Sequence, residues 1–237
     1  MSKAKVYLIP NFLGPEVSEG RSFPSENKDI IASLSHFAVE NLKDSRRFLV
    51  RIGLKPKIDE SEFYNLDKKS TWDDIQPMIA ALKAGNSIGI ISDAGCPGIA
   101  DPGSLLVSHA HLNGFQTVPL IGPSSILLAL MASGFNGQSF VFNGYLDREQ
   151  AKKGKEIKEM ETLVKQRSQT QIFMETPYRN ESMWDDLMKT LQPETKLCVA
   201  ANISLPNEYI KTKTVADWKK SNKQNLAKIP AIFLLGS

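Results

Sequence analysis

Ser92-Asp93-Ala94-Gly95-Cys96-Pro97-Gly98-Ile99-Ala100-Asp101-Pro102-Gly103 gathers small residues, prolines and two carboxylates into one run. Residues with little or no Cβ let backbone N–H and C=O groups reach a ligand directly. The prolines stiffen such a loop, so less conformational entropy is lost on binding. Asp93 adds a charge that can orient a ligand or accept a proton. Glycine, proline and aspartate also build ordinary turns, but this run is far longer than a turn requires, and long structured loops between elements are usually functional. The residues alone describe a small-molecule cradle and leave the ligand open.

The elements that must position this run are legible on either side. Ser87-Ile88-Gly89-Ile90-Ile91 reads as a buried strand and Leu105 to Leu112 as a helix. An acid at the carboxyl end of a parallel strand, then a glycine and proline loop, then a helix, is how open α/β sheets form ligand sites. Two more loops share this pattern: Pro10-Asn11-Phe12-Leu13-Gly14 after the strand Val6 to Ile9, and Ile121-Gly122-Pro123-Ser124-Ser125 after the strand Phe115 to Ile121. The two serines are natural N-caps for the apolar helix Ile126 to Ala132. Loops at the carboxyl ends of parallel strands converge on one sheet edge, so these can line a single pocket.

Elsewhere in the first half, Ile30, Leu34 and Phe37 keep one face apolar and predict a helix over Asp29 to Leu42. Arg47 to Gly53 reads as a helix end, and Lys55 to Lys69 as a polar connection. Ile75, Met78, Ile79 and Leu82 follow helical spacing up to a cap at Gly85. In the second half, strands are expected at Ser139 to Asn143, Thr170 to Glu175, Lys196 to Asn202, Tyr209 to Thr214 and Ala231 to Leu235. A charged helix around Lys152 to Lys165 and another at Met183 to Leu191 interrupt them. The fold class is therefore α/β in two domains: residues 1–120 with a mostly parallel sheet and the cradle loops, and residues 121–237 with a mixed sheet.

Several classes of chemistry are excluded. No Gly-x-x-x-x-Gly-Lys-Ser/Thr is present, and no Gly-x-Gly-x-x-Gly follows the first strand, so the usual phosphate-binding loops are missing. No Gly-x-Ser-x-Gly elbow supports a hydrolase. His36, His109 and His111 read as structural or surface residues, and the cysteines Cys96 and Cys198 cannot build a metal cage, so no metal is expected. Met1 to Asn11 has too short an apolar run for a signal peptide, and no stretch is long enough to span a bilayer, so a cytoplasmic protein without a membrane partner is expected. The net charge of +3 is small, yet basic residues cluster at Arg46-Arg47-Arg51, Arg148 to Arg167 and Glu208 to Lys228. Such patches grip phosphates or simply form solvated faces.

The central motifs resemble the tetrapyrrole methylase superfamily, in its branch of small-subunit ribosomal RNA ribose 2′-O-methyltransferases. Ser92 to Pro97 with Asp101-Pro102-Gly103 is similar to that family's Ser-Asp-Ala-Gly-Thr-Pro…Asp-Pro-Gly. Val118 to Ser124, followed by an apolar helix and Ser133-Gly134, resembles its second cradle. Phe142-Asn143-Gly144-Tyr145-Leu146 and Phe173-Met174-Glu175-Thr176-Pro177-Tyr178-Arg179 resemble its Phe-x-Gly-Phe-Leu and Phe-Tyr-Glu-Ser-Pro-His-Arg. Glu40 with Arg46-Arg47-Phe48-Leu49 resembles a Glu-Asp-Thr-Arg…Arg-Arg-Leu-Leu segment, although Glu40-Asn41-Leu42-Lys43 lacks one acid and the arginine. Cys96 stands at the family's threonine, and the first loop departs from Pro-Thr-Pro-Ile-Gly-Asn.

The resemblance implies an S-adenosylmethionine-dependent methyltransferase of two α/β domains with the cofactor in the cleft between them. It further implies a homodimer acting on ribosomal RNA or the small ribosomal subunit. By carry-over, Pro10, Asp93, Ala94, Gly95, Pro97, Ser124, Ser125, Gly144, Glu175 and Thr176 are the cofactor-binding residues. Glu40 and Asp93 are the candidates for orienting or deprotonating a ribose hydroxyl, Glu40 being otherwise an exposed helix residue paired with an arginine. Two alternatives stay open: a methyltransferase for a tetrapyrrole or another small molecule, and a non-catalytic S-adenosylmethionine-binding protein.

Overall fold

The first sheet is wholly parallel. In the computed structural model, which describes residues 4–17 and 22–237, its strands are β1 (Lys5–Ile9), β2 (His36–Val39), β3 (Glu62–Asn65), β4 (Ile88–Ile91) and β5 (Gln116–Pro119). Of the leading stretch Met1 to Asn11, the first three residues lie outside the described residues. The strand order is β3-β2-β4-β1-β5, with Val39 and Ile9 both opposite Ile91 and with Leu8 opposite Pro119. Every carboxyl end therefore lies along one edge. Strand β4 is buried along its whole length, as expected of a central parallel strand covered on both faces. Helices α1 (Ser25–Ala32), α2 (Leu42–Arg51), the short α3 (Lys57–Glu60), α4 (Trp72–Lys83) and α5 (Ser104–Leu112) connect the strands. Ile75, Met78, Ile79 and Leu82 of α4 sit in one core cluster with Val6, Ala38, Ile88, Ile90 and Leu106.

The helix expected over Asp29 to Leu42 is two elements. Helix α1 ends at Ala32, where the Ser33 hydroxyl donates to the Ile30 carbonyl at 2.6 Å, and His36-Phe37-Ala38-Val39 then runs as a strand between β3 and β4. Ile30, Leu34 and Phe37 do fit helical spacing. The contiguous run Phe37-Ala38-Val39 instead suits a strand buried on both faces, and Phe37 stacks on Phe63 of β3 at 5.6 Å. The polar connection of Lys55 to Lys69 likewise contains α3 and the edge strand β3.

The second sheet is mixed. Its strands β6 (Phe140–Tyr145), β7 (Thr170–Met174), β8 (Lys196–Ala201), β9 (Tyr209–Thr214) and β10 (Ala231–Gly236) are ordered β6-β7-β10-β8-β9. Only β6 and β7 pair in parallel. Helices α6 (Ser125–Ser133), α7 (Gln150–Arg167), α8 (Asn180–Thr190) and α9 (Val215–Lys220) accompany it. Trp184 and Trp218 meet edge to face at 5.1 Å in its core, and the Trp218 indole donates to the Leu197 carbonyl at 2.9 Å, so its one polar atom is satisfied on burial. Helix α7 is charged but not merely a solvated face. Lys153 is buried and pairs with Asp186 of α8 at 2.8 Å, whereas Lys152 pairs with Glu149, the residue that precedes its own helix.

The chain divides into two compact units, Met1–Ser124 and Ser125–Ser237, each containing one sheet. Among the described residues no helix is long and apolar enough to cross a membrane.

Candidate functional site

Hydrogen bonds and close packing stitch together the loops that leave β1, β4 and β5. Asn11 and Gly95 form an isolated antiparallel bridge: the Asn11 N–H donates to the Gly95 carbonyl at 2.8 Å, and the Gly95 N–H returns to the Asn11 carbonyl at 3.1 Å. The Asn11 side chain completes the junction. Its Nδ2 donates to the carbonyls of Ser92 and Asp93 at 3.0 and 3.1 Å, and its Oδ1 accepts from the Phe12 N–H at 2.7 Å. The Ser92 hydroxyl holds the Gly95 carbonyl at 3.2 Å. Toward the third loop, the Cys96 thiol donates to the Pro123 carbonyl at 3.4 Å. Pro10 packs so closely on Gly122 that a Cβ there would lie 2.2 Å from Pro10 Cγ.

Backbone conformation explains the central glycine. Gly95 has φ +68°, in the left-handed region where glycine carries no Cβ penalty. The first loop is anchored from outside: Phe12, Phe23 and Phe48 cluster with ring centroids 5.5–6.0 Å apart. The Arg51 guanidinium lies 3.8 Å from the Phe12 ring centroid and donates to the carbonyls of Gly14, at 3.0 Å, and Val17.

Acidic groups stand along the same edge. Glu40, expected on a helix, directly follows β2, and Asp93 lies two residues beyond the end of the neighbouring strand β4. Asn41 caps α2 by accepting from the N–H groups of Lys43 and Asp44 at 3.0 and 3.3 Å, so Glu40 sits at a strand end held by a helix start. Burial, then the charges of Asp93 and Asp101, push the Glu40 carboxyl above the ordinary glutamate range, against the pull of Lys68. Partial desolvation and then Asp44 raise Asp93. Burial also raises Asp101, with Lys68 opposing and Asp93 adding. This edge is electronegative and favours a cationic ligand. A carboxylate with a raised pKa is also the stronger proton acceptor.

Of the residues singled out in the sequence, Glu40, Pro10, Asp93, Ala94, Gly95, Pro97 and Ser124 belong to the N-terminal unit. Pro10, Gly95 and Pro97 are buried in the stitched loops, and Asp93 and Ala94 are exposed at their rim. Ser125, Gly144, Glu175 and Thr176 belong to the C-terminal unit. Ser125 opens α6. Gly144, at φ +69°, lies in the bulge of β6 beside the end of β7. The buried Glu175 accepts from the Thr176 N–H at 2.6 Å and from the Arg179 guanidinium at 2.5 Å.

Sequence reasoning included Asn11, Gly122 and Asp101 in the cradle loops without giving any of them a role of its own, and nothing in the sequence marks Lys68. Among the described residues, no group of three or more His, Cys, Asp or Glu side chains is placed to hold a metal. His36 contacts Tyr64 and Glu62, His109 stacks on Trp72, and His111 meets Thr117.

The family model "Tetrapyrrole (Corrin/Porphyrin) Methylases" matches residues 38–218. A Vibrio cholerae protein named ribosomal RNA small subunit methyltransferase I is 31% identical over 190 residues, covering 80% of this chain and 62% of that protein. Its Bacillus subtilis namesake is 30% identical over 206 residues, covering 87% and 64%. The chain thus spans about three fifths of the length of these curated relatives. Among solved structures, the methyltransferase CobJ superposes with a TM-score of 0.65 at 16% identity, covering 99% of this chain and 94% of that one. The uroporphyrin-III C-methyltransferase of Thermus thermophilus, complexed with S-adenosyl homocysteine, superposes at 0.55 and 13% identity, covering 99% and 98%.

Proposed function

The chain belongs to the tetrapyrrole methylase family, and on that premise we propose that it is an S-adenosylmethionine-dependent methyltransferase that 2′-O-methylates a ribose in small-subunit ribosomal RNA. The observation carrying this reading is the stitched cradle of the N-terminal unit, with Gly95 at positive φ and Glu40, Asp93 and Asp101 beside it. The acceptor class is supported by the relatives from Vibrio cholerae and Bacillus subtilis, whose names specify the small ribosomal subunit.

The residues present fit this cofactor. A Cβ on Gly95 would lie at ordinary contact distance from Leu13 Cδ2, 3.6 Å, and from the Pro123 carbonyl, 3.8 Å, so it is the φ of +68° that reserves this turn of the cradle for glycine. The carboxylates along the edge suit a ligand that carries a sulfonium and an ammonium. When bound, S-adenosylmethionine supplies an electrophilic methyl group.

The chain's own residues position the reactants and handle the proton. Backbone groups of Asp93, Ala94 and Gly95, with Pro10, Pro97 and Ser124 around them, hold the cofactor in place. Aligning two reactants supplies much of the rate enhancement in such a transfer. Glu40 Oε accepts the proton of the ribose hydroxyl, a weak nucleophile that gains from a general base, and Asp93 orients that hydroxyl. By the family pattern we also assign cofactor contacts to Ser125, Gly144, Glu175 and Thr176. We further infer a homodimer, supported by the largely exposed Leu127 and Met131 of the apolar helix α6, and activity in the cytoplasm, where ribosomal subunits are assembled.

Calorimetric titration with S-adenosylmethionine, beside NAD and ATP, tests the cofactor; selective micromolar binding is expected. Labelled methyl transfer to unmodified small ribosomal subunits, followed by nucleoside chromatography, tests the acceptor. A protein that binds the cofactor yet leaves the subunits unlabelled sinks the RNA reading, and label on a base sinks the ribose assignment.

A further inference from the structure

Tyr178 is 80% exposed, yet the turn carrying it is tied down on every side. Pro177–Arg179 forms a 3-10 turn directly after β7. Its Arg179 guanidinium holds Glu175 Oε1 at 2.5 Å and Thr176 Oγ1 at 3.3 Å, while the Arg179 N–H donates to the Thr176 carbonyl at 2.8 Å. The fully buried Asn180 donates to the Ile229 carbonyl at 2.6 Å. The Lys228 N–H donates to the Pro177 carbonyl at 3.1 Å. A rigid backbone therefore presents a bare aromatic ring to solvent.

Lys228 is the second half of the feature. It is exposed and holds φ +60°, a left-handed conformation that lysine seldom adopts and that proteins retain where the surroundings enforce it. That bond sets the Lys228 backbone beside the residue preceding Tyr178. The neighbouring Lys223 is by contrast committed to Glu181 and Asp185 at 3.0 and 2.8 Å. An exposed aromatic face with a lysine on the segment bonded to its turn matches one nucleotide of a single strand, the base stacking on the ring and the phosphate within reach of the flexible cationic side chain.

We propose that Tyr178 and Lys228 form a nucleotide-binding site for single-stranded RNA, the tyrosine stacking on a base and the lysine contacting a phosphate. This rests on the RNA-methyltransferase reading. Stacking on a preorganised ring costs little entropy, so the pair gives the C-terminal unit a grip of its own on the substrate strand.

The test uses the full chain, a short fluorescein-labelled single-stranded RNA followed by anisotropy across a salt series, and methyl transfer to small ribosomal subunits. Tyr178→Ala is expected to weaken RNA binding about ten- to a hundred-fold and to raise KM for the subunit, with calorimetric S-adenosylmethionine affinity unchanged. Tyr178→Phe and Tyr178→Trp should restore RNA binding, because stacking needs the ring and not the hydroxyl. Lys228→Gln should flatten the plot of log affinity against log salt by about 0.7. Wild-type affinity in Tyr178→Ala overturns the site, as does failure of Phe and Trp to rescue. Loss of cofactor binding in Tyr178→Ala would overturn it too, by showing a structural role. If the wild-type protein binds S-adenosylmethionine but neither binds RNA nor methylates subunits, the RNA reading fails first and this site falls with it.

Discussion

Replacing Asn11 by aspartate keeps the shape of the side chain and inverts one end of its hydrogen bonding. Asn11 is 8% exposed. Its Nδ2 donates to the Ser92 and Asp93 carbonyls at 3.0 and 3.1 Å, while its Oδ1 accepts from the Phe12 N–H. Asp preserves the acceptor for Phe12 but turns an oxygen toward two carbonyl oxygens. Two lost hydrogen bonds cost about 1 kcal/mol each, and the poorly solvated carboxylate facing those carbonyls adds about 1–3 kcal/mol. The sum, about 4 kcal/mol, corresponds to roughly 10 °C in Tm for a chain of this size. Asn11→Ala loses the same bonds without the repulsion and should fall about half as far. The new carboxyl would have a raised pKa in the folded state, so folding would take up a proton. The penalty is then full near neutral pH and shrinks as pH falls through that raised value. Thermal unfolding of the wild type and both variants, near neutrality and in mild acid, checks this, with S-adenosylmethionine affinity as the functional readout. Asn11→Asp unfolding with the wild type, or tracking Asn11→Ala at both pH values, would refute the bonding scheme.

Other expectations follow from the same edge of the first sheet and from α7. Gly95→Val forces a β-branched residue to φ +68°, a strain of about 1–2 kcal/mol, and should abolish cofactor binding measured calorimetrically; an unchanged Kd in a folded variant removes Gly95 from the cradle. Glu40 must be ionised to accept a proton, and its pKa is raised by burial, Asp93 and Asp101, so methyl transfer should climb with pH through that raised value. Glu40→Gln should erase this limb and cut kcat about 10²- to 10⁴-fold; a retained pH limb would shift the role to Asp93. Because Glu40, Asp93 and Asp101 are all raised, they stabilise the fold in acid and lose that contribution as pH rises. A bound cation relieves the crowding, so S-adenosylmethionine should release protons in mildly acidic buffers, seen as a dependence of binding heat on buffer ionisation enthalpy. Lys153→Ala strands Asp186 and should cost about 3–5 kcal/mol, whereas an exposed lysine would cost almost nothing on denaturant unfolding.

What the sequence made legible and what it hid divide along a physical line. The cradle loops were readable because their chemistry is local: small residues and prolines after apolar strands state their backbone geometry wherever they occur. The parallel and mixed sheets were readable from the order in which strands and helices alternate. Asn11 was not, because its partners Ser92 and Asp93 lie 81 and 82 residues away and any Asn after a strand looks alike in one dimension. Lys153 was hidden for the same reason, its partner Asp186 being 33 residues distant, so α7 read as either a phosphate-gripping patch or a solvated face. Glu40 is the instructive case. The resemblance singled it out, yet helical spacing of Ile30, Leu34 and Phe37 put it on the wrong element. Three apolar residues spaced for a helix are equally satisfied by a short helix followed by a buried strand, and only packing against β3 and β4 decides between them. That decision changes the chemistry: an acid on an exposed helix pairs with an arginine and stays fully solvated, whereas an acid directly after β2 is partly buried near Asp93 and Asp101 at a crowded strand edge, which raises its pKa and suits it to the proposed role of base.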